Sequence, residues 1–271
     1  MIRDITLGRY YSAESVVHGL DPRVKLSGAL LFIIGLFFVK QPLFFLPAAI
    51  YIIALYRLAE IPLKYMFKGL KGFVILLLFT LIFRGFCTEG EPIFVLTEYL
   101  VLTREGIVKA VQMVGRIMLM IMGASLLTYT ATPSQLSAGI EEGCAWMEKI
   151  KVPVHEMAMM ISIALRFLPI MIEETNLIMD AQASRGVNFH EGSLWTRMKK
   201  VFPIVMPLFM GAFKRSANLA MAMEARGYRD AAHRSRLKEL RYTGTDRRAY
   251  AIIWSYTVLW IGVNLAWRFY E

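Results

Sequence analysis

Long apolar stretches separated by short polar segments dominate the first half of the chain. Residues 26–39 and 43–56 are apolar runs divided at Pro42. Each run is somewhat shorter than the roughly 20 residues of a perpendicular span, so we predict a tight transmembrane hairpin. Residues 72–86 and 107–129 predict a third and a fourth span.

Two sets of cations interrupt this apolar pattern. Lys64, Lys68 and Lys71 recur at helical spacing within residues 61–71, opposite an apolar face, which is the profile of an interfacial helix. Arg116 lies inside the fourth predicted span, where a cation is costly unless it is paired. Such an arginine is functional or pairs with a carboxylate or a carbonyl group, and the simpler interpretation is that Arg116 faces a neighbouring helix as a structural contact.

The pattern changes at Thr132, which precedes a proline and predicts a helix start. From there the chain is dense in charge and apolar on one helical face. One long helix is predicted from Pro153 to Arg185, about 50 Å at 1.5 Å per residue, with a kink at Pro169. A second long helix is predicted over 194–226, and a final span, edged by aromatic residues, over 251–267.

Composition sets the class of protein. Apolar residues make up 56% of the 271 positions, above the roughly 45–50% of a soluble domain, so we expect an integral membrane protein. The net charge of +10 comes from basic clusters beside the apolar runs. This distribution indicates cytoplasmic loops and anionic lipid headgroups, and it argues against nucleic-acid binding. Cys87 and Cys144 do not have the spacing of a metal or redox motif, and no cleavable signal peptide is expected.

The predicted fold class is therefore an all-α, polytopic membrane protein with about five transmembrane helices and long cytoplasmic helices. Basic flanks place the N-terminus and the charged second half inside the cell, and the acidic loop around Glu89 and the C-terminus outside. The predicted segments are a cytoplasmic N-terminal segment 1–25, four spans with the interfacial helix 61–71 in 26–130, a cytoplasmic helical domain 131–248 and a last span 249–271.

Both predicted long helices end on an arginine followed by a glycine. Glycine permits the left-handed residue that closes a helix, and the cation faces the negative end of the helix dipole, so capping alone explains one such ending. Two such endings about forty residues apart indicate a pair of contact elements that insert into a partner outside the membrane. The two sites are Ser184-Arg185-Gly186 and Ala225-Arg226-Gly227.

Motifs for intrinsic chemistry are missing from the sequence. There is no P-loop to cradle ATP phosphates and no GxSxG elbow. His155-Glu156 begins like a zinc-protease motif, but Met159 occupies the position of the second histidine. We therefore expect a non-catalytic protein with no catalytic residue, metal site or cofactor of its own. The alternatives are a stand-alone permease or channel with a basic cytoplasmic domain, and a membrane-embedded hydrolase.

Four blocks of sequence resemble a known family in the same order. They are Gly8 to Lys25, Ala164 to Pro169, Asp180 to Gly186 and Met223 to Tyr228. Together they resemble EcfT, the transmembrane T component of energy-coupling factor transporters, a CbiQ- and BioN-like family, over nearly the whole chain. Ser184 stands where the family has alanine.

The resemblance implies a scaffold that couples ATP hydrolysis by two ABC-type ATPases to substrate release by a membrane-embedded S component, in the cell membrane of a prokaryote. The cargo would be a vitamin or a transition-metal ion, and ATP and magnesium would bind to the ATPases. The two long helices would be coupling helices, whose Arg185 and Arg226 ends each dock in a groove on one ATPase. Supporting family positions are His18, Asp21, Pro22, Arg23, Lys25, Arg166, Pro169, Asp180, Gln182 and Glu224.

Overall fold

The computed structural model describes residues 10–39, 41–86, 88, 92–97, 100–189, 191, 193–228 and 240–268. These residues form two compact units. The larger unit contains residues 10–142 and 240–268, and the inserted unit contains residues 143–228. Within the described residues the chain therefore leaves the larger unit once and returns to it at residue 240.

Ten α-helices, one hairpin and two 3-10 turns make up the described chain. In the larger unit the helices are α1 (Val16–Gly19), α2 (Pro22–Phe38), α3 (Phe45–Leu58), α4 (Leu63–Lys71), α5 (Val74–Phe86), α6 (Arg104–Thr130), α7 (Pro133–Gly143, whose last residue belongs to the inserted unit) and α10 (Gly244–Arg268). The strands β1 (Pro92–Thr97) and β2 (Leu100–Thr103) pair antiparallel, and a 3-10 turn (Pro42–Phe44) precedes α3. The inserted unit contains a 3-10 turn (Ala145–Ile150), α8 (Val154–Ser184) and α9 (Leu194–Ala225).

Side chains just ahead of the helices fix where they begin. Asp21 caps α2 by accepting a hydrogen bond from Arg23 N at 2.9 Å, with proline at the first helical position. Thr132 and Gln135 form a reciprocal capping box at α7: Gln135 N donates to Thr132 Oγ1 (3.3 Å) and Thr132 N donates to Gln135 Oε1 (3.0 Å). The helix start predicted at Thr132 is confirmed.

The core of the larger unit lies where α2, α3, α4, α6 and α10 meet. Its largest fully buried side chain, Tyr56, donates a hydrogen bond to Met122 O at 3.1 Å. Beside it, the rings of Tyr51 and Tyr256 stack with centroids 4.2 Å apart. The buried side chains of this core include Phe32, Leu36, Ile52, Leu119, Leu126 and Trp260.

Arg116 is paired, as its depth in an apolar helix requires. Its Nη2 atom donates to Val39 O at 2.5 Å, the carbonyl that follows the last residue of α2. The cation therefore binds the negative end of a helix dipole. The expectation that Arg116 pairs with a neighbouring helix through a carbonyl group is confirmed.

The helical membrane-protein class is confirmed, and each predicted span coincides with a helix. By length and composition, α6 and α8 are able to cross a membrane, and α4 with α5, bent by 65°, would be a third span. α2 has 17 residues and α3 has 14, because the short apolar runs of the sequence limit them. The number of spans stays a prediction.

The β1–β2 hairpin is an addition to the predicted helical architecture, in the segment predicted as an acidic outer loop. Alternation of apolar residues over 92–97 is too short and too irregular to predict a strand from the sequence. Cys87 and the acidic residues Glu89, Glu91 and Glu98 lie outside the described residues.

The inserted unit consists mainly of two long helices. α8 has 31 residues and continues through Pro169, and α9 has 32 residues. Arg215 Nη2 on α9 contacts Glu174 Oε2 on α8 at 2.7 Å. A Cβ atom at Gly211 would lie 2.9 Å from Glu174 Oε1, so only glycine allows this approach without a shift.

Candidate functional site

The end of α8 is a complete Schellman motif. Gly186 N donates to Ala183 O at 2.9 Å, and Val187 N donates to Gln182 O at 3.1 Å. Gly186 has a φ of +87°, the left-handed conformation that an alanine would occupy only with strain. Arg185 precedes it at the C-cap.

The end of α9 repeats this geometry. Gly227 N donates to Glu224 O at 2.9 Å, Tyr228 N donates to Met223 O at 3.0 Å, and Gly227 has a φ of +76°. The two arginines at the caps have nearly the same backbone angles: −85° and 9° for Arg185, and −86° and 6° for Arg226. The two sequence repeats therefore form two matching backbone structures.

Both guanidinium groups are presented to solvent. Arg185 and Arg226 are exposed, and the ion pairs found among the described residues do not include either one. A planar guanidinium offers five donors, so each end is able to bind a carboxylate or a pair of carbonyl groups on another protein. The glycine that follows turns the chain away from the contact.

Sequence reasoning missed the residue after each glycine as part of the motif. Val187 and Tyr228 supply the main-chain N–H that closes each Schellman motif, and their side chains differ in size and polarity. Ser184 also differs from Ala225, because its hydroxyl donates to Asp180 O at 3.0 Å. An alignment of the two repeats around their glycines would reveal both positions.

Of the other predicted positions on the long helices, some lie at these ends and some do not. Asp180, Gln182 and Glu224 lie in the last turns, where their carbonyl groups accept the hydrogen bonds described above. Arg166 and Pro169 are exposed on the first half of α8. Arg166 is 19 residues from Arg185, about 28 Å along a helix, and is not part of the same local site.

The remaining predicted positions form a separate cluster in the larger unit. Lys25 Nζ donates to His18 O at 2.7 Å and to Thr130 O at 3.0 Å. Burial lowers the pKa of the His18 imidazole, and the Lys25 charge acts in the same direction. Pro22 is buried at the start of α2, and Asp21 and Arg23 pair through their side chains. This cluster joins elements of the fold.

The described part of the chain contains no group of three or more His, Cys, Asp or Glu side chains that could hold a metal ion. His155 instead contacts Glu148, with Nε2 and Oε1 at 3.3 Å. His190 and His233 lie outside the described residues.

Comparison with known proteins gives a consistent result. Residues 13–237 match the model of the CbiQ family, described as cobalt transport protein, and this range contains both helix ends. The chain is 41% identical over 247 residues to the energy-coupling factor transporter transmembrane protein EcfT of Clostridium kluyveri, covering 91% of this chain and 92% of that relative. It is 41% identical to the protein of the same name from Thermosediminibacter oceani, covering 92% of this chain and 94% of the relative. For the protein of that name from Lactococcus lactis the identity is 36%, over 96% and 98% of the two chains.

Proposed function

Since this chain belongs to the CbiQ family and is a transmembrane component of an energy-coupling factor transporter, we propose that it is the scaffold that couples ATP hydrolysis to substrate release. Its partners would be two ABC-type ATPases and a membrane-embedded S component that binds the substrate, a vitamin or a transition-metal ion. The chain itself would be non-catalytic, with ATP and magnesium bound by the ATPases.

The observation that carries this proposal is the matched pair of helix ends. Two ATPases of similar structure present two similar grooves, and a scaffold that contacts both needs two similar contact elements. Arg185 and Arg226 stand on the same backbone geometry and are exposed. Each would make charge-assisted hydrogen bonds to acidic or carbonyl groups of one ATPase.

The long helices supply a means of transmission. ATP-driven closure of the two ATPases would move the helix ends relative to one another, and helices of 31 and 32 residues carry a displacement further than a loop does. The Glu174–Arg215 contact ties the two helices together. The displacement would reach the membrane and reorient the bound S component so that its site empties inward.

This mechanism requires a defined orientation in the cell membrane. Although α8 is long and apolar enough to cross a membrane, we place both coupling helices in the cytoplasm, where the ATPases and ATP are. The N-terminus would lie on the same side, and the C-terminus would lie outside. The basic segments in 149–248 agree with that side of the membrane, since cytoplasmic segments carry an excess of lysine and arginine.

The test is charge reversal at the two helix ends in the assembled transporter. Arg185→Glu or Arg226→Glu should replace attraction with repulsion, at a cost of about 2 to 5 kcal/mol per site. Binding of the ATPases and substrate uptake should then collapse, while membrane insertion and binding of the S component persist. Arg185→Lys should be partly tolerated, because lysine keeps the charge without the planar fork.

Arg197→Glu is the matched control, because Arg197 is an exposed arginine in the first turn of α9, at the opposite end of the helix from Arg226. Capping alone predicts a far smaller loss, about 0.3 to 1 kcal/mol. Near-normal ATPase binding and uptake in the Arg185→Glu/Arg226→Glu double variant would refute the docking role. If the wild-type chain purified with neither ATPase nor S component, a stand-alone permease or channel would be the better description.

A further inference from the structure

In the part of the chain that the structure describes, the inserted unit is joined to the larger unit by two chain connections. The chain leaves the larger unit after Glu142 and returns to it at Leu240. A force that passes along the described backbone between the units therefore passes through these two points. Both points lie against one side chain of the N-terminal segment.

Arg23, in the first turn of α2, contacts both connections. Its Nη1 atom lies 2.6 Å from Glu142 Oε2, and its Nη2 atom donates to Leu240 O at 3.1 Å. The last residue before the inserted unit and the first residue after it are thus held by the same guanidinium group. All of these residues belong to the larger unit.

Other groups fix the orientation of that guanidinium. Asp21 Oδ1 accepts from Arg23 Nε at 3.1 Å, and Asp21 Oδ2 accepts from Nη2 at 2.9 Å. The ring of Tyr242 covers the guanidinium carbon at 3.9 Å from the ring centroid. With its side chain only 15% exposed, Arg23 is held by a forked carboxylate contact and a cation–π contact at once, which lysine is unable to reproduce.

A second set of hydrogen bonds joins the same elements. Asp21 N donates to Asp246 Oδ1 at 2.9 Å, while Asp246 Oδ2 accepts from the N–H of Thr243, the residue just before α10, at 2.8 Å. Burial alone would raise the pKa of the Asp246 carboxyl, but these hydrogen bonds and the Arg23 charge hold it below its ordinary value. Asp246 is only 1% exposed. The Asp246 carboxylate therefore joins the starts of α2 and α10. Its negative charge is compensated by the Arg23 charge, and each of its oxygens accepts a hydrogen bond.

We propose that Arg23 is a positioning residue that clasps the exit and the return of the inserted unit at one point of the larger unit. This rests on the proposed coupling function. With the clasp closed, displacement of α8 and α9 is passed to α2, α7 and α10 together. With the clasp open, the two connections move independently and absorb the displacement, so ATP hydrolysis continues without matching transport.

The first experiment measures substrate uptake per ATP hydrolysed by the complete transporter in proteoliposomes. For Arg23→Ala this ratio should fall by about tenfold, within the range by which changes in a coupling network act, and for Arg23→Lys it should fall less. Assembly with the ATPases and the ATPase rate should stay near wild type. Arg248→Ala and Arg248→Lys are matched controls at an exposed arginine of α10, and should leave the ratio unchanged. A normal ratio in Arg23→Ala would overturn the proposal.

The second experiment reads the clasp without any partner. Cysteines are introduced by Gly143→Cys, beside Glu142 and with open space for a side chain, and by Leu240→Cys, which keeps the Leu240 carbonyl group. Glu142 itself stays in place, and the native thiols are replaced through Cys87→Ser and Cys144→Ser. A short bismaleimide should bridge them efficiently with Arg23 present and poorly in Arg23→Ala, as measured by mass spectrometry of the bridged peptide. The Arg248→Ala chain should bridge like its parent. Equal bridging with and without Arg23 would show that Arg23 does not hold the connections.

The bridge also tests the functional step. If Arg23 acts by holding the connections together, bridging the Arg23→Ala chain before reconstitution should restore most of the uptake per ATP. Failure of a bridged chain to recover the ratio would overturn the clasp as the cause. A wild-type chain that binds no ATPase would refute the proposed function. The cross-linking yields with and without Arg23 would still show whether Arg23 holds the two connections together.

Discussion

At the residue scale, each helix end has one residue that sets the backbone geometry and a neighbouring residue that carries the charge. Gly186 and Gly227 fix the backbone by accepting a positive φ, and the arginine before each glycine supplies the charge. Backbone geometry is therefore the same at both ends and independent of the guanidinium. A change at the glycine and a change at the arginine should fail in different ways.

The glycines provide a test that leaves both charges in place. Gly186→Ala and Gly227→Ala put a Cβ atom in the left-handed region, at a cost of about 1 to 2 kcal/mol, so the helix ends should lose their geometry and bind the ATPases more weakly. Gly186→Asn should be milder, because asparagine tolerates this conformation. ATPase pull-down by each variant is the measurement.

Gly115→Ala is the control for this prediction. Gly115 lies within α6 with open space around it, so alanine should be neutral or stabilise the helix by up to about 1 kcal/mol. Unchanged ATPase binding by the Gly186→Ala/Gly227→Ala double variant would show that the turn geometry is unimportant for docking.

At the element scale, the pairing of α8 with α9 depends on a half-buried ion pair. The side chains of Glu174 and Arg215 are 28% and 30% exposed, and Gly211 makes room for the carboxylate. Arg215 Nη1 is buried with no hydrogen-bond partner among the described residues. The guanidinium group is therefore held by Glu174 through its Nη2 atom alone. Removing either partner leaves a poorly solvated charge.

A double-mutant cycle on this pair gives the second prediction. Glu174→Ala and Arg215→Ala should each lower the thermal stability, and the two effects should show a coupling energy of about 1 kcal/mol, as expected for charged residues in contact. Thermal unfolding of the four chains in detergent gives the cycle. The exposed Glu105–Lys109 pair, 3.8 Å apart, is the control and should couple by no more than about 0.5 kcal/mol. Equal coupling in both pairs would contradict a special role for Glu174 and Arg215.

Elements whose signals are local could be predicted from the sequence. The start of α7 follows from Thr132 and its proline, and the ends of α8 and α9 follow from Arg-Gly, because caps are made by residues a few positions away. Contacts across long separations left no such signal. Glu174 and Arg215 are 41 residues apart, and Arg23 and Leu240 are 217 apart, so only the folded chain brings them together.

At the scale of the whole molecule, the larger unit is interrupted by the inserted unit and completed by the last segment of the chain. The proposed orientation places the inserted unit in the cytoplasm. Cys144 is the second residue of that unit and is partly exposed, so it is a natural reporter for this orientation.

The third prediction uses this thiol in a Cys87→Ser chain. A membrane-impermeant maleimide should not label Cys144 in intact cells and should label it after the inner face is opened. In the converse Cys144→Ser chain, Cys87 should be the thiol labelled from outside if it is not packed. Labelling of Cys144 in intact cells would overturn the proposed topology.

The hydrogen bond from Asp21 N to Asp246 Oδ1 also bears on how the protein is made. It joins residues 225 positions apart, and a ribosome that adds about 5 to 20 residues per second needs roughly 11 to 45 s to travel between them. Through that interval the start of α2 lacks its partner on α10, and the inserted unit is synthesised before that partner is made. The junction between the starts of α2 and α10 therefore forms only after the whole inserted unit has been made, and a nascent chain that stops before Leu240 should lack it.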